Sequence, residues 1–307
     1  DSTLACVRSL IDAADMCDDC DLEIVVGDNG SDDSERDRLH RGLADDPRVQ
    51  LIDYKVNLGF AAGHNRNLEA VLARTRPDFT WLLNNDCVVE SQCIDALLNC
   101  ASRNPEVGIW GATLLELDDR NIQCAGGCTY NSWLTTYRSH GRGIPSSKRH
   151  RLKRVQFDYV SGASMFFPIG TIETGLIPAR KLSNIETDRA FELLNESFFL
   201  YFEELDLAER LKPGLSLGWC RDALILHTSG HTTGAAGSRR SAQAEYHSTL
   251  SALKFTRLYY PRRLWLMAPA RFLAKSAQLL FTGNFRLLGS MVSAYQDFWK
   301  WLGEAGV

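Results

Sequence analysis

No window of the 307 residues offers about 18 uninterrupted apolar side chains, so no membrane-spanning helix is expected. The first twenty residues carry Asp1, Asp12, Asp15, Asp18 and Asp19 without a continuous apolar stretch, which does not read as a signal peptide. Positive charge is not in excess. With 34 Lys+Arg against 38 Asp+Glu the formal charge is −4, which argues against a nucleic-acid binder driven by bulk basicity. A dense, even set of cysteines is also missing. The nine thiols are scattered from Cys6 to Cys220, which fits reduced cytoplasmic thiols better than a secreted disulfide framework. Cys17-x-x-Cys20 is the only zinc-like pair, and no second pair follows at finger or ribbon spacing. There is no P-loop and no dinucleotide fingerprint. The chain begins Asp1-Ser2-Thr3-Leu4, with neither a methionine nor a lead-in strand.

What is there fits a globular α/β protein. The sequence is 45% apolar and 23% charged. Leu4, Val7, Leu10, Ile11 and Ala14 recur at helical spacing over Thr3–Met16. The run Leu22–Gly27 reads as a buried strand opening into the polar turn Asp28-Asn29-Gly30-Ser31. A polar helix over Ser34–Leu43, a strand at Val49–Asp53, a helix over Ala61–Ala73 and a strand at Phe79–Leu83 follow. This alternation predicts a mostly parallel sheet with helices on both faces and ligands beyond the carboxyl ends of the strands. After Trp110 the pattern loosens. Ser146–Arg154 is a basic stretch placed in a loop, Tyr159–Phe167 a strand containing Gly162, and Ile185–Asn195 and Glu204–Leu211 helices. Short strands are expected near Leu215–Trp219 and Ala223–Leu226, then a Gly-rich segment over Gly230–Ser238 and helices to the end. From Ser251 onward the net charge is +6, so the preceding residues carry −10.

Four segments can carry chemistry, and each also has an ordinary structural use. Asp86 ends the strand in LLNNDCVVE, where a fixed carboxylate suits Mg²⁺ or Mn²⁺, although Asn-Asn-Asp is also a common turn. Asn57–Asn65 sets two glycines around a helix start, where N–H groups can meet a diphosphate or simply pack. Glu203, Glu204 and Asp206 follow an aromatic run; a buried wall raises proton affinity and suits a general base, while acids at a helix start also complement its dipole. His227 ends an apolar run and gains a role only if it meets Asp86 in space; His227-x₃-His231 lacks the helix that zinc spacing requires.

The order of these segments is more specific than any one of them. VVGDNGSDD, NLGFAAGHNRNL, WLLNNDCVV, DYVSGASMFF, FFLYFEELDLAERL and ALILHTSGHTTG, spread from about Leu4 to Gly234, resemble the glycosyltransferase family 2 enzymes of the GT-A fold, in particular the rhamnosyltransferase-like branch. The resemblance implies a GT-A type, mostly parallel sheet with flanking helices plus a C-terminal helical extension. It divides the chain into a nucleotide-sugar half (1–110), an acceptor-binding and catalytic half (111–238) and C-terminal helices (239–307). It places Asp28, Asn29, Ser31, Asn57, Gly59 and Asn85 at the donor, and Asp86 and His227 at Mg²⁺ or Mn²⁺. Asp158, Ser161 and Gly162 fall near donor or acceptor. Glu203-Glu204 matches the family's Glu-Asp pair, with Glu standing where the base is Asp, and Glu204 is taken as the base. Gly230–Ser238 would be a lid. Family members also begin with a strand ahead of the helix that opens here at Thr3, so the resemblance implies a first strand beside Leu22–Gly27 that these residues lack.

The activity implied is inverting transfer of a sugar from a dTDP- or UDP-linked donor to a glycan or lipid-diphosphate-linked acceptor in bacterial surface polysaccharide synthesis. The basic stretch Ser146–Arg154 and the basic, aromatic tail (Tyr259–Trp265, Phe298–Trp301) suit an anionic membrane surface, with salt-sensitive, peripheral binding on the cytoplasmic side. Two other readings stand beside this one. A nucleotidyltransferase would need a Gly/Arg/Lys-rich triphosphate loop, which is not visible. A binding module that has lost its chemistry would account for the Asp-to-Glu change.

Overall fold

The computed structural model describes residues 2–178, 191–228 and 241–304. In chain order its elements are α1 (Ser2–Asp15), β1 (Ile24–Asp28), α2 (Asp33–Leu43), β2 (Val49–Asp53), α3 (Phe60–Leu72), β3 (Phe79–Leu83), β4 (Cys87–Val89) and α4 (Cys93–Arg103). Then come β5 (Val107–Glu116), β6 (Ile122–Ala125), β7 (Gly127–Asn131), β8 (Thr136–Ser139), β9 (Tyr159–Val160), β10 (Ser164–Pro168), α5 (Ile169–Gly175), β11 (Ile177–Pro178) and β12 (Phe191–Glu192). α6 (Glu203–Leu211), β13 (Ser216–His227), α7 (Ala242–Tyr259), α8 (Pro261–Phe281) and α9 (Leu288–Glu304) complete the order.

The α/β architecture with flanking helices and a C-terminal helical extension is the one expected, but the strand pairing is mixed. The central sheet runs β3-β10-β5-β13-β4, with β6 on β5, and strands from both sides of residue 110 share it. β5 and β13 pair in parallel, while β10 is antiparallel to both β3 and β5, and β4 is antiparallel to β13. β1 and β2 form a separate parallel pair, in register from Ile24↔Val49 to Asp28↔Asp53. No described strand joins β1 to β3, and the main cavity runs between them, lined by residues 24–28 and 79–83. This is why β1, read as a buried strand, keeps Val25, Val26 and Gly27 only half-buried.

Four further expectations change for physical reasons. The two short strands near residues 215–226 are one strand, because a bulge between Trp219 and Leu224 interrupts a continuous ladder. The strand Tyr159–Phe167 is split into β9 and β10 by a turn at Ser161–Ala163, closed by Ser164 N–H donating to the Ser161 carbonyl. The helix expected over Ile185–Asn195 is not helical in its described part. There Phe191–Glu192 pairs with β11, and the Asn65 carboxamide oxygen accepts from the N–H groups of Leu193 and Leu194, a tertiary contact that outweighs local propensity. The basic stretch after Pro145 winds into a short 3₁₀ helix over Ser146–Arg151. Gly230–Ser238 and His231 lie outside the described residues.

The sheet's core is apolar on both faces. β5 is buried along nine consecutive residues, and α4 packs Cys93, Ile94, Leu97 and Ala101 against one side. The C-terminal helices have their own core of Leu253, Leu264, Met267, Ala268 and Phe298. They join the body through Phe255, which meets Tyr130 and Phe202 at ring centroid distances of 5.5 and 5.4 Å.

Candidate active site

One cleft of about 1410 Å³, continuous with the gap between β1 and β3, brings together nearly all of the site residues expected from the sequence. Asp28, Asn29, Ser31, Asn57, Gly59, Asn85, Asp86, Ser161, Gly162, Glu203, Glu204 and His227 all line it. Asp158 does not line it. Its carboxylate accepts from the Tyr130 N–H at 2.7 Å and lies 3.7 Å from Lys212 Nζ, so it fastens β7 to the start of β9.

The β1 end is built by short polar contacts. Asp28 Oδ1 accepts from the Ser31 N–H at 3.0 Å, while its Oδ2 is buried without a partner. Asn29 faces the following loop. Its Nδ2 donates to the Gly59 carbonyl at 3.0 Å and its Oδ1 accepts from the Leu58 N–H at 2.7 Å. Asn57 Oδ1 in turn accepts from the Gly59 N–H. Gly59 sits at φ +84°, and a Cβ there would lie 2.5 Å from the Phe199 carbonyl oxygen, so both backbone conformation and space require glycine. The two glycine-flanked segments thus hold each other at the mouth of β1.

At the β3–β4 turn, Asn85 Nδ2 donates to Thr3 Oγ1 at 2.9 Å, and Asp86 is only 5% exposed. The pairing His227↔Cys87 between β13 and β4 brings the imidazole to this turn. His227 Nε2 lies 3.2 Å from Asp86 Oδ1, yet the geometry is not that of a hydrogen bond, and Oδ1 is left as a buried acceptor without a donor. Gln123 was missed in the sequence. Its Nε2 donates to Glu116 Oε2, which turns its Oε1 toward His227 Nδ1 at 2.6 Å. A neutral ring that donates from Nδ1 to this oxygen leaves the lone pair of Nε2 on the side of Asp86. An orphaned carboxylate oxygen beside an imidazole lone pair is a donor set that fits a divalent cation. Among the described residues Asp86, Cys87 and His227 are the one group of potential ligands that converge in this way, with ligand atoms within 4.8 Å of one another. Cys17 instead donates to Asp95 Oδ1 at 3.1 Å, and no third ligand joins it and Cys20.

Across the cleft, Glu203 and Glu204 open α6. The turn before them is strained: Tyr201 and Phe202 have φ of 68° and 76°, in the left-handed region that side chains disfavour. Packing holds it. Phe202 is wedged against Tyr130 and Phe255, Ser251 Oγ donates to the Leu200 carbonyl, and Lys254 Nζ donates to the Ser197 carbonyl. Behind the acids, Asp206 accepts from Asn195, Arg210 and the Tyr259 hydroxyl, and Arg210 also donates to the Gly175 and Leu193 carbonyls. Burial pushes Glu204 up to about 7. Burial, and secondarily the Glu204 charge, push Glu203 well above the usual carboxylate range. Each has an Oε2 that is buried without a partner. A Cβ at Gly162 would lie 3.5 Å from Glu204 Oε1, so glycine keeps the approach to this carboxylate clear. A carboxyl that ionises near neutrality and has a vacant acceptor atom can take a proton from a bound hydroxyl.

The mixed α/β sheet with flanking helices and a C-terminal helical region has the architecture of the GT-A fold. Glycosyl transferase family 2 matches residues 1–163, just over half of the chain, and the protein belongs to that family. It is 26% identical over 238 residues to the N-acetylglucosaminyl-diphospho-decaprenol L-rhamnosyltransferases of two strains of Mycobacterium tuberculosis, covering 69% of this chain and 68% of those proteins. Its fold is similar to that of S. aureus TarS 1-349 in complex with UDP-GlcNAc, with a TM-score of 0.52 at 10% identity, covering 95% of this chain and 75% of that one. Glycosyl transfer is the class of chemistry.

Proposed function

We propose that this protein is an inverting glycosyltransferase that moves a sugar, rhamnose being the first candidate, from a dTDP- or UDP-linked donor to a hydroxyl of a glycan or lipid-diphosphate-linked acceptor in bacterial surface polysaccharide synthesis. The observation that carries the reading is Glu204: a half-buried residue whose Oε2 is buried without a partner, ionising at about 7, in the same cleft as Asp86 and His227. In this reading the Glu204 carboxylate accepts the acceptor hydroxyl's proton as that oxygen attacks the anomeric carbon from the face opposite the leaving group. Beside it, burial holds Glu203 well above the usual carboxylate range. The interlocked Asn29, Asn57 and Gly59 shape the donor pocket, with Asp28, Ser31 and Asn85 around the nucleotide and Ser161-Gly162 at the acceptor side. Asp86 and His227 would hold Mg²⁺ or Mn²⁺, which when bound supplies positive charge against the departing diphosphate.

The donor and acceptor classes rest on the rhamnosyltransferase relatives, whose name specifies a diphospho-decaprenol acceptor. Such an acceptor would place the work at the cytoplasmic face of a membrane. The test is Glu204→Gln with dTDP-rhamnose, then UDP-sugars, and Mg²⁺ or Mn²⁺. The expected result is loss of nucleoside diphosphate release with donor binding intact by thermal shift. Near-normal turnover would remove the base assignment. Donor binding without turnover in the wild-type protein would favour the module reading.

A further inference from the structure

α8 is apolar on two opposite faces. One face packs Leu264, Met267, Ala268 and Leu279 inward. The other presents Leu266, Leu273 and Leu280, flanked by Trp265 and Phe281, each between 59% and 91% exposed. The leucines recur every seven residues, so they stay within about 40° of one another along about 21 Å of helix. The helix contains no Asp or Glu. Apolarity all round belongs to a helix covered on both sides, and an exposed apolar stripe of this length marks a binding surface. No described helix is long and apolar enough to cross a membrane, so α8 must find its second cover in another way.

The charges choose the partner and limit how it is held. Most cations around α8 already have internal work. The Arg263 guanidinium sits 4.3 Å from the Trp133 ring, Arg271 bonds Thr135, and Lys275 Nζ lies 3.3 Å from the buried Glu245 carboxylate. Arg262 and Arg286 remain exposed near the two ends of the stripe. The same Arg263 contact ties α8 to the β7–β8 hairpin, whose tip exposes Trp133 and Leu134, and whose Tyr137 lines the catalytic cleft. The hairpin therefore joins the helix to the lining of the cleft.

We propose that α8 lies in the interface of an anionic phospholipid bilayer, its Leu266–Leu273–Leu280 face buried among the acyl chains and Arg262 and Arg286 at the headgroups. The docking stands on this face alone; its use, delivery of a lipid-linked acceptor past the hairpin, rests on the function proposed above. Because insertion and not charge supplies most of the affinity, binding is only weakly salt-dependent, unlike the salt-sensitive association expected from the basic tail.

The experiment is flotation of the whole chain with phosphatidylethanolamine/phosphatidylglycerol vesicles, at low salt and at about 1 M, where the Debye length is about 3 Å. Binding should persist at high salt, with a blue shift of tryptophan emission. Leu273→Glu and Phe281→Glu should each lower partitioning by about tenfold or more, while Leu273→Phe retains it and all three keep the donor-induced thermal shift. No flotation, complete release by salt, or a dimer that Leu273→Glu converts to monomer without any lipid binding would each overturn the proposal, the last by showing that a second copy covers the face. Flotation without any sugar transfer would overturn the function and leave the docking intact.

Discussion

Asp86 and Glu204 are carboxylates lining one cleft, both at the ends of regular elements, and their surroundings differ in kind. Asp86 sits in a turn between two paired strands, with an oriented imidazole 3.2 Å away and a carboxylate oxygen that has no donor. Glu204 sits at a helix start beyond a strained turn, against aromatic packing, with no cationic partner among the described residues. The first arrangement keeps lone pairs converging on a point and suits a cation. The second makes ionisation costly and suits a proton. In the proposed reading the environment supplied by neighbouring elements, not the residue type, would divide the labour between the two acids.

Substitution at the two acids separates the roles most sharply. Glu204→Gln should lower turnover by on the order of 10³-fold and leave cation-dependent donor binding unchanged. Asp86→Asn should lose turnover together with the Mg²⁺- or Mn²⁺-dependent part of donor affinity, measured by calorimetry. If both variants lose the same property, the division fails. The pH profile comes next. Since the base works ionised, kcat/KM should rise about tenfold per pH unit below a midpoint near 7 and level off above it. Glu203→Gln should leave that midpoint in place, because burial is the main cause of the Glu204 shift. A midpoint that moved with Glu203 would assign the base to the pair.

Smaller effects test the supports. Gln123→Leu frees the His227 tautomer and should weaken cation affinity by about 10- to 100-fold without moving the pH midpoint. Lys254→Met removes the donor to the Ser197 carbonyl. The loss should be about 1 kcal/mol of stability and a few-fold in rate, with cation affinity unchanged. A chemical denaturation curve and a cation titration on the same sample distinguish these outcomes.

Much of the site could be read from residues 25–33, 57–65, 79–90 and 198–207 because polar clusters at the ends of apolar runs are local patterns. Asp86 was legible in this way, and so was Glu204. The partnership of Asp86 with His227 followed from the family resemblance and from no local pattern. The two are far apart in sequence and meet only through the β4–β13 register. Gln123 gave no signal at all, since an isolated glutamine in a strand acquires its role from the ring it faces. Asp158 shows the complementary case: beside Ser161 and Gly162 in sequence, its carboxylate is turned toward Tyr130 and Lys212.

Composition and periodicity determined by themselves that the chain is α/β, where most helices and strands lie, and which acids stand at element ends. Those properties follow from side-chain spacing along a few turns of chain. Tertiary structure alone decided the mixed pairing of the sheet and the loss of helix where Asn65 captures Leu193 and Leu194. It also decided which cations of the basic tail are spent inside and which apolar face of α8 is left outside. These depend on contacts between segments distant in sequence, where hydrogen-bond geometry and burial, which no local pattern records, select among residues of the same type.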